Sequence, residues 1–251
     1  MRHVHFLSRS LAVGTLSLLA HASVTAAAIY TSGHGDLGIA YESGELEPHI
    51  HLHDGSVVDG IPVSNPPDGI EFAPDEAIIF VADPSIPRPT GGQWDFLGAA
   101  SGSPIWILPQ GEDPAKPFFG IASEELAASE WPTLSLSLIS LDGPAGGHFS
   151  VYQTDAFGTP LIKFDTSDGI GGDDTLPLIV GGHDHYNWAF TQPGVYGATF
   201  SVNGTHLIDG PKSAVATFSF GVTQVPEPST TLALGLGVAL ALGRRRHHSP
   251  V

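Results

Sequence analysis

The sequence predicts an all-β protein, a single antiparallel β-sandwich of Ig-like, Greek-key type. Three observations lead there. The 251 residues include 31 Gly and 21 Pro but only 14% charged residues, a turn-rich composition far from the Ala, Glu, Lys and Leu bias of helical bundles. Short β-prone runs recur between clusters of Gly, Pro, Asn and Asp through the middle of the chain. Several runs alternate apolar and polar residues, as in Leu134-Ser135-Leu136-Ser137-Leu138 and Phe218-Ser219-Phe220, which puts one face in a core and the other in water.

Taken in order, residues 1–28 read as a secretory signal helix. Arg2 and Arg9 accompany an apolar run from Leu11 to Ala20, and small residues up to Ala28 offer cleavage sites. Strands are expected over Leu37 to Tyr41, Leu46 to His53, Ala77 to Ala82, Pro104 to Leu108 and Phe118 to Ile121. More follow over Leu134 to Leu141, His148 to Gln153, Leu161 to Phe164, Tyr186 to Phe190, Val195 to Val202 and Ala214 to Val222. The stretch from Asp54 to Asp75 reads as a loop excursion. One helix is expected over Ser123 to Trp131, with Ser123 as N-cap, Glu124 and Glu125 in the first turn and Pro132 as its stop. Tyr196, in Pro193-Gly194-Val195-Tyr196, is either the tyrosine corner of a Greek-key sandwich or ordinary core. No internal repeat or domain-sized linker interrupts residues 29–224, which form one domain.

Residues 225–251 make a tripartite tail: Val225-Pro226-Glu227-Pro228-Ser229, an apolar run from Thr230 to Gly243, then Arg244-Arg245-Arg246. This order resembles the PEP-CTERM protein-sorting signal. The resemblance implies recognition by an exosortase-type sorting enzyme and delivery to the cell surface or extracellular matrix of a Gram-negative bacterium. The apolar run is shorter than the roughly 20 residues of a relaxed spanning helix. Snorkelling Arg side chains and local thinning still let it act as an initial anchor helix in the inner membrane, with the Arg cluster on the cytoplasmic side.

The charge balance, 9 Lys+Arg against 26 Asp+Glu for a net charge of −17, repels nucleic acid and excludes it as a partner. The chain has no Cys, and its one Met is Met1, so disulfides, thiolate ligands and thioether ligands are ruled out. A protein-borne metal site must be built from His and oxygen ligands. With 13 His, the chain is well supplied.

Three histidine clusters share a strand parity. In Pro48-His49-Ile50-His51-Leu52-His53, the apolar residues take one face and His49, His51 and His53 the other. In Gly182-His183-Asp184-His185-Tyr186-Asn187-Trp188-Ala189-Phe190, the bulky residues Tyr186, Trp188 and Phe190 oppose His183, His185 and Asn187. The third cluster is Gly33-His34-Gly35-Asp36, just before the apolar positions Leu37, Ile39 and Tyr41. All three are expected at strand starts or ends.

Imidazoles at i and i+2 sit about 6–7 Å apart at Cα. Both reach one ion, since imidazole nitrogen binds zinc at about 2.0–2.1 Å. A single His-x-His pair is weak, because solvent-facing strand positions also hold His. Together the clusters nominate His34, Asp36, His51, His53, His183 and His185 as ligands of a divalent transition metal, zinc or copper foremost. His148 reads as a strand-edge or core residue, and His206 as a turn residue beside an Asn203-Gly204-Thr205 hairpin turn. The acidic loop from Asp165 to Asp174 lacks the spacing and terminal Glu of a helix-loop-helix calcium site and reads as a solvated loop.

The stretches Thr31 to Glu42, Ile50 to His53, Gly143 to Ser150 and Gly182 to Tyr196 resemble the choice-of-anchor M domain. That family of bacterial surface proteins is related to actinobacterial surface-anchored repeats encoded with a predicted ABC transporter. The resemblance implies a surface-displayed β domain and a transporter link that suggests metal or small-solute capture. It carries His34, Asp36, His51, His53, His183 and His185 as motif positions, while His49 falls outside it.

Three functions compete. The first is metal binding by the histidine cluster. The second is a structural or adhesive protein held among exopolysaccharides without a functional metal. The third, a metal-dependent enzyme, ranks last: it would need Asp184 or Glu47 as a positioned acid or base, strand parity aims Asp184 away from its neighbours, and no hydrolase or phosphate-loop motif is present. No enzymatic activity is expected.

Overall fold

A computed structural model describes residues 27–64 and 69–225. Apart from residues 27 and 28, the predicted signal segment lies outside the described residues, as does the tail from residue 226 on. Within them the protein is all β. The first strands are β1 (Ala28–Glu42), β2 (Glu45–Leu52), β3 (Val57–Val58), β4 (Ile61–Pro62), β5 (Ile70–Phe72), β6 (Ala77–Val81) and β7 (Ile86–Pro87). A 3-10 turn at Gly92–Leu97 leads to β8 (Pro104–Leu108), β9 (Pro117–Ala122), β10 (Thr133–Asp142), β11 (Phe149–Thr154) and β12 (Pro160–Asp165). The last are β13 (Thr175–Pro177), β14 (His183–His185), β15 (Asn187–Phe190), β16 (Gly194–His206) and β17 (Gly210–Val222).

These strands form a twelve-stranded sheet and a five-stranded sheet of order β12-β11-β15-β8-β7. The sandwich core lies between them. Phe220 of the large sheet stands 5.2 Å from Phe190, 5.5 Å from Trp188 and 5.9 Å from Phe149 of the small sheet, ring centre to ring centre. All four are fully buried, and each such side chain removed from water stabilises the fold by about 1.5–3 kcal/mol. The alternation that predicted β10 is realised: Leu134, Leu136 and Leu138 are buried, and Ser135 and Ser137 face outward. Tyr196 forms the corner, its hydroxyl accepting from the Gln192 amide at 3.1 Å and donating to the Gln192 carbonyl at 3.0 Å.

Several expectations are corrected. Antiparallel pairing dominates, but β1 runs parallel to both β6 and β9, and β17 runs parallel to β6. Alternation reports which face a residue takes, not the direction of the neighbouring strand. The segment from Ser123 to Trp131 is turns, not helix: the Ser123 hydroxyl, instead of capping, donates to the Ile179 carbonyl at 3.1 Å. The stretch Asp54 to Asp75 contains β3, β4 and β5, too short to show a period. Asn203-Gly204-Thr205 lies inside the β16–β17 ladder, whose turn falls beyond the half of it ending at His206. The 165–174 loop is organised around buried Asp174, whose carboxylate accepts from the amides of Asp165 at 2.9 Å and Gly171 at 2.8 Å.

Strand β1 positions the site. Its first residues pair with β6 and β3; from Gly33 on it lies between β9 and β2. Gly33 makes the change of neighbours with φ +91°, where an added Cβ would lie 2.6 Å from the Ser56 Cα. The result is a local order β14-β9-β1-β2-β5.

Candidate metal centre

His34 and Asp36 project from the same face of β1, at i and i+2. They lie in mid-strand, not at a strand start. On β9, Phe118 is opposite His34 and Gly120 opposite Asp36. Gly120 is also opposite His185 of β14, and Ala122 opposite His183. The segment that carries the two imidazoles leaves the large sheet at Tyr186 and enters the small sheet as β15. Trp188 of β15, fully buried, donates its indole N–H to the Phe119 carbonyl at 2.8 Å and ties β9 to the core beneath.

Small residues on β9 let side chains meet across it. The Nε2 atoms of His34 and His183 are 3.3 Å apart, those of His183 and His185 3.0 Å, and those of His185 and His34 3.1 Å. Ligands around a tetrahedral zinc at about 2.0–2.1 Å stand about 3.3–3.4 Å from one another. The triangle of nitrogens is therefore close to one face of such a tetrahedron. Asp36, 1% exposed, brings Oδ1 to 2.9 Å from His183 Nε2 as a fourth donor. His34, Asp36, His183 and His185 can each offer one ligand atom within 4.8 Å of the others.

Hydrogen bonding separates the converging side chains from their supports. His53 stacks on His34 at 4.0 Å and approaches Asp36 Oδ2 at 3.0 Å. The carboxylate can only accept, so the His53 Nε2–H donates and holds Asp36 in place. Oδ1 is left buried without a hydrogen-bond partner. His183 Nδ1 lies 3.5 Å from Glu124 Oε2, a carboxylate placed to orient that imidazole. His185 stacks flat on Phe118 at 3.4 Å, and its Nδ1 is buried without a partner.

The electrostatics favour neutral donors. Burial lowers the His34 pKa against the opposing pull of Asp36, and burial pushes His185 down to about 4. His183 is raised, chiefly by the Asp36 carboxylate 2.9 Å from its Nε2. Burial alone would raise the Asp36 carboxyl, but the His183 imidazole close to Oδ1, the hydrogen bond from His53 and the neighbouring imidazole charges outweigh it and hold the group well below its usual range. Around neutral pH, His34 and His185 are thus neutral rings, each able to turn an Nε2 lone pair toward a common point beside an ionised carboxylate. A cation at that point would be attracted by all three groups.

The structure divides the nominated residues. His34, Asp36, His183 and His185 converge, His53 supports Asp36, and His51 faces a different group of side chains. The His51–His53 segment and the His183–His185 segment are not adjacent strands; β1 and β9 lie between them. Asn187, expected to share the His face, is buried in the small sheet, where its amide donates to Gln110 Oε1 at 2.8 Å. His206 is buried at the end of β16 and accepts from the Asp209 amide at 3.1 Å. Sequence reasoning missed Gly120, Phe118, Glu124 and Glu125. Glu124 lies beside His183 and Glu125 beside His49 and His51, both reached through the turns after β9.

The PEP-CTERM protein-sorting motif matches residues 224–246. The motif marks an exported protein sorted to the cell surface in Gram-negative bacteria, and exosortase-type enzymes recognise motifs of this kind. No curated protein and no solved structure matches the chain.

Proposed function

We propose that this surface-sorted β-sandwich binds a divalent transition metal, zinc or copper, through His34, Asp36, His183 and His185, and serves metal or small-solute capture outside the cytoplasm. The observation that carries the reading is the triangle of Nε2 atoms with edges of 3.0–3.3 Å, closed by a buried carboxylate oxygen that has no hydrogen-bond partner. Three imidazoles and one carboxylate suit zinc or copper better than magnesium or calcium, which take oxygen ligands. The resemblance of the body to the choice-of-anchor M domain, with its transporter link, agrees with capture as the role, and a brief stay in the inner membrane through the tail precedes sorting. No catalysis is part of the reading: Asp184 alternates with the His pair on β14 and is exposed on the far side.

Calorimetric titration of the purified full-length protein with Zn²⁺ or Cu²⁺ tests this. Sub-micromolar binding that disappears in the His183→Ala/His185→Ala variant is the expected result. Absence of uptake by the wild type, or uptake unchanged in that variant, overturns it. A purely adhesive protein held among exopolysaccharides would give the first of these negative outcomes together with retention on polysaccharide.

A further inference from the structure

A second group of ligand-type side chains lies on the same sheet face, beyond β1. His49 of β2 sits opposite Gly38, and its ring fills the space a side chain there would need. Its Nδ1 is 3.1 Å from the Glu47 carbonyl. A carbonyl only accepts, so Nδ1 donates to it, and Nε2 is the ring nitrogen turned toward any ligand. That Nε2 belongs to a side chain 9% exposed, has no hydrogen-bond partner, and points at Glu125 Oε1 from 3.1 Å. At that distance the nitrogen and the carboxylate oxygen need a positive charge between them, a proton or a metal ion. A backbone carbonyl fixing the tautomer of a ligand imidazole is also the usual support of a metal-bound His.

The other members close around the same point. His51 Nδ1 lies 3.8 Å from the same Glu125 oxygen, and Glu71 of β5 is in register with His51. One ligand atom from each of His49, His51, Glu71 and Glu125 falls within 4.8 Å of the rest. We propose that these four residues form a second divalent transition-metal site, with no ligand in common with the first. Two nitrogens and two carboxylate oxygens suit a borderline ion such as zinc or manganese. Both carboxylates are exposed, so the ion is held more weakly than in the first site and exchanges with solvent. His53 stands between the groups, stacked on His51 at 4.7 Å and on His34 at 4.0 Å, with its Nε2–H committed to Asp36.

Zinc titration of the full-length protein reads both sites at once. The expected wild-type result is two equivalents, one tight and one weaker. Glu125→Gln, at an exposed position, weakens only the second event by about tenfold or more, and Glu71→Gln does the same. His183→Ala/His185→Ala removes the tight event and leaves the weaker one. A single equivalent lost in His183→Ala/His185→Ala, or a weaker event unchanged in both Gln variants, overturns the second site while leaving the first. A single equivalent that survives His183→Ala/His185→Ala and weakens in Glu125→Gln upholds the second site and refutes the proposed function.

Discussion

Asp36 and Gly120 face each other across the parallel pairing of β1 and β9, and a Cβ on Gly120 would collide with Asp36 Oδ1. The same Cβ would lie 2.9 Å from the Asp184 carbonyl and 3.1 Å from the His185 ring. The glycine is a matter of space here, because its φ lies outside the left-handed region.

Gly120→Ala is therefore expected to fold with a loss of about 1–3 kcal/mol from overpacking and to bind zinc at least about tenfold more weakly. Urea unfolding and calorimetry on the same preparation measure both. Wild-type affinity in this variant would mean that Asp36 and His185 do not share a ligand.

Asp36→Asn keeps the shape but removes the charge that holds the His183 proton. The His183 pKa is raised chiefly by Asp36, so in metal-free protein it should fall in this variant. A pH titration of the imidazole Cε1–H resonances by NMR reports it directly. A His183 midpoint that does not move would detach the carboxylate from the triad.

The sites were partly legible in the sequence, and the limits have physical causes. Strand parity put His34 with Asp36 and His183 with His185, because alternation needs only the local chain. It could not show that β9, whose Pro117-Phe118-Phe119-Gly120-Ile121-Ala122 carries no ligand, lies between those pairs. Nor could it assign His51, since the choice between the two groups depends on which strand borders β2 and where Glu125 arrives. The helix expected over Ser123 to Trp131 hid Glu124 and Glu125 as N-terminal acidic residues, whereas buried Ser123 binds a carbonyl and the turns bring both carboxylates back over the sheet. The sandwich itself followed from alternation in β10 and β17, where one face is water and the other core.

The stability of the metal-free protein should fall as pH drops from about 6.5 to about 4. The unfolded chain protonates His185 near pH 6.5, while burial in the fold holds the proton off until about 4, so the unfolded state binds more protons across that window. Below it Asp36 adds to the loss, because its depressed carboxyl contributes in full only above the usual value near pH 3.9 and loses that stability as pH falls toward the folded value. His183 acts in the opposite sense: its raised pKa adds stability that is full below about 6.5 and fades as pH rises through the folded value. Melting curves of the apo-protein across this range, compared with His185→Gln, should show a shallower decline in the variant. Parallel curves would contradict the assignment.

Metal loading should raise the melting temperature. At 100 times its dissociation constant a ligand bound only by the native state adds about 2.7 kcal/mol, and for a chain of this size each kcal/mol is worth about 2–4 °C. A rise of about 5–10 °C with zinc, reversed by chelator, is expected from scanning calorimetry. An unchanged transition would leave the histidines without a stabilising ion.

Anomalous diffraction at the zinc edge from zinc-loaded crystals locates the ion itself. A peak is expected about 2.0–2.1 Å from the Nε2 atoms of His34, His183 and His185, with Asp36 Oδ1 as the fourth ligand. A map without a peak at that point, or with zinc held only at surface carboxylates away from these imidazoles, would contradict this assignment.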